Sequence, residues 1–561
     1  MLLNSPTGRR RSGVTLAAAG AALSLILAAC GGGSDQGSDG VVDSEALTGV
    51  TNGELPDDGP AQPGGILRVI DASDAPTLDP QKSPTAYTQV SVSGMVYSKL
   101  VGLKVGRDLA FGSQVLEPDL ATEWKSSDEG KTWTFTLQKG VKWQNIAPVN
   151  GREFTSTDVR CTVERIKTMP GVQKNLMDVV DTVDDSDPYT VVFKLNTAFA
   201  TFDQTMSNFY MSILPCEGTR GEFNLGDVAI GTGPFILQKW DRKVQRTYVK
   251  NPNYFVAGKP YLDGVNVVIM ADPASQLAAL RTGELDIAPV SNELYPSLIS
   301  TNPEMVVRNN VGLTNVVANF NQGKAPFDNL KVRKAVWMAW DRAGQASTFL
   351  DGYTLSGPYP AALDGGMSVK EQEEKIPYDP EGAKKLLAEA GYPNGLDVEL
   401  LTTDGYGPVI TNGAQWLQAD LKDVGINATL KVVDYATYWS TLAAKDYQIS
   451  YAYTTAYPTA DEWLNSLYVT NGPKNSFNIA DPTLDKMVAE QRGILDRDER
   501  IKALEEINDY IIENVANPLM GYSAGGYTAQ GPYVHNYYAT GGYERPTLDQ
   551  VWLGPDAPGR K

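Results

Sequence analysis

Alternating apolar and polar residues mark several short stretches of the chain as β-strands, because successive side chains of a strand face opposite ways. The stretches 133–137 and 190–195 alternate in this way and carry the β-branched and aromatic residues that strands favour. In 328–340 and 380–390 the apolar residues recur at helical spacing, and Gly391 stands where a helix C-cap favours glycine. Strand and helix patterns that follow one another along the chain predict an α/β fold.

The folded body is expected to begin at the Gly64-Gly65 turn, which leads into an alternating strand. Roughly 500 residues follow without an internal repeat, which is enough chain for two or three domains. Within it, residues 283–286 are expected to be a helix end that turns into a strand.

The first 30 residues have the pattern of an export signal. A basic cluster at 9–11 precedes an uncharged, mostly apolar run at 14–29, which is short for a membrane span and ends in small residues. The run closes with Leu27-Ala28-Ala29-Cys30 and three glycines, which resembles the lipobox of bacterial lipoproteins. That resemblance implies cleavage after residue 29 and acylation of Cys30. A plain signal peptide with an incidental cysteine is the alternative.

Residues 31–63 are expected to form a flexible tether. Gly, Ser, Asp and Pro dominate the segment, and it contains no Lys or Arg. A segment of this composition buries too little apolar surface to offset the entropy of ordering it. The tether would let the folded body swing away from a membrane.

Charge and rare residues exclude several classes of function. The formal net charge is −19, from 48 Lys and Arg against 67 Asp and Glu. A nucleic-acid partner is not expected, because nothing would neutralise its phosphates. The chain has one histidine, His535, so neither a His-rich metal site nor a cofactor is predicted. Cys161 and Cys216 are expected to form a disulfide in an oxidising compartment, with two buried free thiols as the alternative.

A series of motifs between about Gly64 and about Leu519 resembles the family 5 extracellular solute-binding proteins. These are the oligopeptide-, dipeptide- and nickel-binding proteins of ABC importers. Each motif is weak alone, but their number and order over this length are specific. The motifs are EPDLATEW at 117–124, DEGKTWTFTL at 128–137, KGVKW at 139–143, FTSTDV at 154–159, GTGPF at 231–235, NPNYF at 251–255, KPYLD at 259–263, DPA at 272–274, LRTGELD at 280–286, NFN at 319–321, PFD at 326–328, VRKA at 332–335, DR at 341–342 and YDPEGAKKLL at 378–387.

The resemblance implies a two-lobed α/β fold of the periplasmic-binding-protein type (type II), with an extra subdomain in lobe I. Two chain crossings are expected, near 317–320 and near Pro518, and they would form a hinge that closes the lobes around a ligand. The implied divisions are 1–29 for the signal peptide, 30–63 for the lipidated cysteine and linker, 64–86 plus 226–317 plus 518–561 for lobe I, 87–225 for the extra subdomain and 318–517 for lobe II.

The resemblance also implies a ligand loop after the alternating strand at 447–453. In peptide-binding members this loop usually reads Trp-x-x-Asp, and the Asp pairs with the amino terminus of the peptide. Here Tyr453 takes the aromatic position and Ala456 takes the Asp position, so the ligand either lacks a free amine there or has it met elsewhere. Asp461 would replace the missing carboxylate if the loop is re-registered. The predicted ligand-binding residues are Tyr453, Thr454, Thr455, Ala456, Tyr457 and Asp461.

The expected function is therefore that of a monomeric, lipid-anchored receptor on the outer face of the cytoplasmic membrane. It would bind a peptide or peptide-like solute and deliver it to an ABC permease with its ATPase subunits. An oligosaccharide stacked on aromatic rings, or a metal chelate contacted by His535, is an alternative ligand.

An exported enzyme or scaffold on the same fold is the alternative of another class. Gly521-Tyr522-Ser523-Ala524-Gly525 fits the nucleophile-elbow pattern, but no helix is predicted after the serine. The single histidine follows twelve residues later without an intervening Asp or Glu. No catalytic residue is predicted.

Overall fold

The strands and helices of the computed structural model alternate along residues 49–56, 59–83, 85–109, 113–169, 172–349, 353–454, 457–538 and 548–560, which are the residues it describes. The predicted signal peptide, Cys30 and most of the predicted tether lie outside these residues. The strands are β1 Val50–Asn52, β2 Ile66–Asp71, β3 Val101–Leu103, β4 Leu116–Pro118, β5 Ala121–Ser127, β6 Thr132–Leu137, β7 Val180–Asp187, β8 Thr190–Leu195, β9 Phe235–Asp241, β10 Gln245–Lys250, β11 Gly264–Ile269, β12 Ile287–Val290, β13 Val306–Phe320, β14 Tyr353–Leu355, β15 Leu396–Thr403, β16 Ile426–Val433, β17 Ile449–Tyr453, β18 Leu519–Gln530, β19 Val534–His535 and β20 Trp552–Leu553.

Helices fall between these strands in the order expected of an α/β chain. The α-helices are α1 Ala86–Val92, α2 Ser156–Thr168, α3 Val172–Met177, α4 Phe202–Ser207, α5 Cys216–Thr219, α6 Pro273–Arg281, α7 Tyr295–Thr301, α8 Leu330–Ala339, α9 Arg342–Phe349, α10 Val369–Lys375, α11 Pro380–Glu389, α12 Pro408–Asp423, α13 Tyr435–Ala443, α14 Ala460–Trp463, α15 Pro482–Gln491 and α16 Arg497–Tyr510. Shorter turns are 3₁₀-helical at Phe209–Met211 and π-helical at Leu464–Tyr468 and Ile511–Val515. The predicted α/β class is confirmed.

The largest sheet joins two regions of the chain through a pair of long antiparallel strands. Its order is β12-β18-β13-β17-β15-β16, with β1 on β13 and β14 on β18. Strands β13 and β18 pair along most of their length, with the register shifting between Val311 and Asn315. Strand β15 lies between β16 and β17 and is parallel to both. The carboxyl ends of these three strands therefore meet at one edge of the sheet.

Two four-stranded sheets complete the framework. One has the order β2-β11-β10-β9, in which β2 and β11 are parallel. The other, β5-β6-β8-β7, is antiparallel throughout and lies within the predicted extra subdomain. A disulfide joins Cys161 of α2 to Cys216 at the start of α5 in the same segment.

The apolar core does not follow the predicted lobe boundaries throughout. One buried cluster surrounds β15, β16 and β17, whereas another combines the β5–β8 sheet with side chains from 457–515. Contacts join the same two regions, as the Ala200 N–H donates to the Arg492 carbonyl at 2.7 Å and Arg492 covers the Phe199 ring at 4.4 Å. The predicted lobe II (318–517) thus packs against the predicted subdomain through its last third.

The folded body begins earlier than the predicted tether allowed. Strand β1 pairs with β13, and the Asn52 side chain donates to the Met305 carbonyl at 2.8 Å and to the Pro303 carbonyl at 3.1 Å. Further along, the Arg560 guanidinium donates to the Gln62 side chain at 3.2 Å. Composition gave the wrong answer for β1 at 50–52, because backbone pairing with an existing strand orders a segment that has no core of its own. In the part of the chain that the structure describes, no helix is long and apolar enough to cross a membrane.

Candidate ligand-binding site

Aromatic residues stand at the carboxyl ends of the three parallel strands of the large sheet. Tyr453 is the last residue of β17, Tyr406 follows β15, and Tyr435 follows β16 as the first residue of α13. Open α/β sheets bind their ligands in the crevice outside this edge, where backbone ends and loops diverge. Trp439, one helical turn after Tyr435, extends the set, and we call Tyr406, Tyr435, Trp439 and Tyr453 the aromatic platform.

The rings of the aromatic platform pack edge to face. The Tyr406 ring centroid lies 5.3 Å from that of Tyr453 at 88° and 5.3 Å from that of Tyr435 at 78°. The Tyr435 and Trp439 centroids are 6.3 Å apart at 65°. These separations suit the favourable edge-to-face geometry of aromatic pairs. Tyr435 nevertheless leaves 50% of its surface exposed, so the platform offers a rigid, accessible ring face.

The hydroxyl groups of Tyr406 and Tyr453 are neutral. Burial raises the pKa of Tyr453 to about 12. Burial raises the pKa of Tyr406 as well, and the neighbouring Tyr435 adds to the effect. A neutral phenol both donates and accepts hydrogen bonds, so these groups can contact amides and hydroxyls of a ligand.

Lys474 borders the platform. Its Nζ lies 5.8 Å from the centroid of the Trp439 ring. The side chain is only partly exposed, and burial lowers the pKa of its ammonium group. The site therefore combines apolar faces, neutral hydroxyls and one cation.

Tyr87 approaches the platform from the other part of the molecule. It lies on α1, which follows β2, and burial, then Asp71 at the end of β2, then Tyr435 raise its pKa. Asp71 forms an ion pair with Arg246, which is fully buried. Tyr435, at the edge of the large sheet, thus lies within electrostatic range of Tyr87 on α1.

The structure brings only part of the predicted ligand loop to this site. Tyr453 belongs to the platform, and the Thr454 backbone N–H donates to the Asn315 carbonyl at 2.8 Å, which continues the pairing of β17 with β13. Thr455 and Ala456 lie outside the described residues. Tyr457 is 1% exposed and packs on Trp463 at 5.4 Å, so its ring belongs to the core and not to a ligand surface.

The structure places Asp461 in a buried ion pair and not on an open ligand surface. Asp461 is 4% exposed and forms an ion pair with Arg492 at 2.8 Å. Its oxygens also accept hydrogen bonds from the side chains of Asn465 at 2.8 Å and Gln491 at 2.5 Å. A carboxylate with these partners is already neutralised and has no open face for an ammonium group of a ligand.

Sequence reasoning missed Tyr87, Tyr406, Tyr435, Trp439 and Lys474. A signal for the tyrosines was available, since Tyr406 and Tyr435 come within three residues of the ends of β15 and β16. The alternation of apolar and polar residues does not reveal the strand order β17-β15-β16, which brings the three strand ends together. No sequence motif or periodic spacing marks Lys474.

The geometry around His535 and Ser523 supports neither a metal-chelate contact nor a nucleophile elbow. His535 stacks on Trp552 with centroids 3.6 Å apart and planes at 9°, which is a packing role. No group of three or more metal-binding side chains occurs among the described residues. Ser523 lies inside strand β18, opposite Asn315, whereas a nucleophile elbow places its serine on a sharp strand-to-helix turn.

The comparisons with known proteins agree with this architecture. Residues 115–476 match the family described as bacterial extracellular solute-binding proteins, family 5 Middle. Among curated relatives, heme-binding protein A of Haemophilus influenzae is 28% identical over 482 residues, covering 79% of this chain and 84% of the relative. Di/tripeptide-binding protein 2 of Pseudomonas aeruginosa is 28% identical over 377 residues, covering 63% and 69%.

Solved structures share the fold over most of the chain. The periplasmic binding protein DppA of Helicobacter pylori, in complex with the peptide STSA, superposes with a TM-score of 0.74 at 25% identity. The match covers 88% of this chain and 98% of that one. The predicted two-lobed α/β fold is thereby confirmed.

Proposed function

Because the chain belongs to the bacterial extracellular solute-binding proteins of family 5, we propose that it is the receptor of an ABC importer and captures a peptide or peptide-like solute between its two lobes. The observation that carries the proposal is the aromatic platform, which stands at the carboxyl ends of three parallel strands, with Tyr87 of α1 within electrostatic range of its Tyr435. This arrangement suits binding: the hydroxyls of Tyr406 and Tyr453 are neutral, and the rings of the platform are fixed by their neighbours.

A peptide-like ligand fits the chemistry of the cleft. Rings and neutral hydroxyls contact a peptide along its length without selecting strongly among side chains. Two of the similar proteins are a di/tripeptide-binding protein and a binding protein in complex with a tetrapeptide. Asp461 is held by Arg492, and Ala456 has no charge, so an amino terminus of the ligand is not paired by either residue.

Capture would proceed by closure of the lobes about the paired strands β13 and β18. We place lobe I at 64–86, 226–317 and 518–561, the extra subdomain at 87–225 and lobe II at 318–517. Closure removes ligand and cleft from water together, which strengthens the hydrogen bonds formed inside. The disulfide between Cys161 and Cys216 would hold the subdomain in the oxidising exterior.

The location we propose is the outer face of the cytoplasmic membrane. The lipobox-like segment at 27–30 supports acylation of Cys30 after export. The partners would be the permease and ATPase subunits of the importer, and the receptor would act as a monomer. Mass determination of the mature amino terminus tests the anchor directly.

Thermal unfolding in the presence of dipeptide and tripeptide pools tests the binding role. A ligand at about 100 times its Kd stabilises the folded protein by about 2.7 kcal/mol, because it binds the folded state alone. Tyr435→Ala should weaken binding about threefold to tenfold through the lost ring contacts. Tyr378→Ala is the matched control, since Tyr378 is also half exposed but lies outside the platform. Peptide hydrolysis without stabilisation, or no stabilisation by any pool, would overturn the proposal.

A further inference from the structure

We propose that Lys474 is the anion-recognising residue of the aromatic platform, so that the captured solute carries a carboxylate or a comparable acidic group. The inference rests on the proposed receptor function and narrows its ligand class. It concerns a cation that borders the platform, which neither the family motifs nor the predicted ligand loop includes.

The backbone around Lys474 is held in place. Its N–H donates to the Ser466 carbonyl at 2.9 Å, and its own carbonyl accepts the Ser476 N–H at 2.7 Å. The buried Asn475 side chain donates to the Val469 carbonyl at 2.9 Å and to the Ile479 carbonyl at 2.7 Å. The ammonium group therefore extends toward Trp439 from a fixed base.

The ammonium group of Lys474 has no counter-charge in the part of the protein that the structure describes. Among the described residues, no carboxylate lies within 4 Å of its Nζ, and no side chain or carbonyl accepts a hydrogen bond from it. Nearby lysines differ, since Lys445 donates to the Asn478 side chain at 2.8 Å and Lys431 forms an ion pair with Glu399 at 3.0 Å. Burial alone lowers the pKa of Lys474, and no neighbouring carboxylate opposes the effect.

An unpaired, partly buried cation destabilises a protein unless something offsets its lost hydration. The Trp439 ring offsets part of it, because the face of an indole ring attracts a cation. The N–H bonds of the ammonium group therefore remain available for hydrogen bonds to a ligand in the closed cleft. A bound carboxylate satisfies both the charge and the donors, whereas a neutral amide satisfies only the donors.

The position of Lys474 suits an acidic group at one end of a short ligand. One ring separation of 6.3 Å joins Tyr435 to Trp439, and a further 5.8 Å joins Trp439 to Nζ. An extended peptide advances about 3.3–3.6 Å per residue, so three or four residues cover the largest separation of Tyr435 and Nζ that these two distances allow. A ligand that contacts Tyr435 with one residue can therefore place its terminal carboxylate at Lys474.

Two matched pairs of probes test the inference: the tripeptide Ala-Tyr-Ala against its carboxyl-terminal amide, and glucuronate against glucose. The wild-type protein should bind the acid of a pair about tenfold or more tightly than the neutral partner, as expected for a hydrogen bond to a charged group. The preference should vanish in Lys474→Met and persist in Lys474→Arg. Lys445→Met is the matched control and should keep the preference, because Lys445 contacts Asn478 and not the platform.

The outcomes separate this inference from the receptor proposal. Equal binding of peptide acid and amide by the wild-type protein, or an acid preference that survives in Lys474→Met, would overturn the inference and leave peptide capture intact. Failure of both peptides, with glucuronate bound in a Lys474-dependent way, would sink the peptide proposal and uphold the inference. Binding of neither acid would overturn it. Lys474→Met should fold, since it removes an unpaired cation, and the ligand-free melting temperature of the variant should equal or exceed that of the wild type.

Discussion

Glu462 is an almost fully buried acid that contacts an amide and no cation. It is 1% exposed, and the Asn208 side chain donates to its two oxygens at 2.9 and 3.1 Å. The adjacent Asp461 takes the one nearby guanidinium, that of Arg492. Burial, aided by the charge of Asp461 and opposed by Asn208 and Arg492, raises the pKa of Glu462 to about 8. The folded protein therefore holds a proton on Glu462 at neutral pH.

This proton makes stability depend on pH in a defined direction. A carboxyl whose folded pKa lies above its unfolded value of 4.5 stabilises the fold fully below that value. The stabilisation is lost as the pH rises toward about 8, because the unfolded chain releases the proton first. Glu462→Gln lacks this proton, so its free energy of unfolding should rise relative to the wild type, by a few kcal/mol between pH 5 and pH 8.

Denaturant unfolding at several pH values measures the difference. Glu506→Gln is the control, because Glu506 is exposed and forms no ion pair among the described residues. Its difference from the wild type should stay within about 0.5 kcal/mol at every pH. A constant offset of Glu462→Gln across the range would show that Glu462 is ionised in the folded protein.

The residues that sequence reasoning located correctly are those whose role is local. Residues 283–286 were predicted to turn a helix into a strand, and they lie between the end of α6 and the start of β12. Asp286 also accepts hydrogen bonds from Arg68 and Tyr533. Asp461 shows the limit: its partner Arg492 is 31 residues away, and no spacing in the sequence joins the two.

At the scale of elements, the strand β1 lies in a segment whose amino-acid composition predicted a flexible tether. Gly, Ser, Asp and Pro dominate the surrounding stretch 31–63, yet β1 within it pairs with β13. Its partners include Tyr295, whose hydroxyl donates to the Thr51 carbonyl at 3.3 Å, and Asn309, whose N–H donates to the Gly49 carbonyl at 2.8 Å. The helices and strands with clear periodicity were predicted within a few residues, because their cores impose that periodicity.

Truncation measures the contribution of β1. A protein that begins at residue 57 loses the strand pairing and both hydrogen bonds of Asn52, whereas one that begins at residue 49 keeps them. Each lost hydrogen bond costs about 0.5–1.5 kcal/mol, so the shorter protein should melt several degrees lower. Hydrogen exchange at the Asn309 amide should accelerate in the shorter protein alone. Equal melting temperatures and equal exchange would show that β1 contributes nothing to stability.

At the scale of the whole molecule, the contact between Asn208 and Glu462 joins regions that the proposed closure brings together. Asn208 belongs to the proposed extra subdomain and Glu462 to the proposed lobe II, and both are almost fully buried. Alongside them, the Ala200 N–H reaches the Arg492 carbonyl. A shared apolar core surrounds these polar contacts, so the closed state depends on their being satisfied. The sequence could not reveal this contact, since 254 positions separate the two residues.

Asn208→Asp tests this contact without changing shape. Asn208 also accepts the Tyr210 N–H at 2.9 Å, and aspartate preserves that cap while it replaces the amide donor with a second acid. Glu462 holds a proton at neutral pH, so the two acids can share it and the variant should keep its peptide binding and its radius of gyration in X-ray scattering there. Above about pH 8 both acids lose their protons and repel, so the variant should populate an open state with weaker binding and a larger radius. Lowering the pH should restore both properties, because protonation removes the repulsion. The double variant Asn208→Asp with Glu462→Gln should keep them at the higher pH as well, as the glutamine amide donates to the new aspartate. Unchanged binding and radius in the single variant above about pH 8 would mean that this contact does not move during closure.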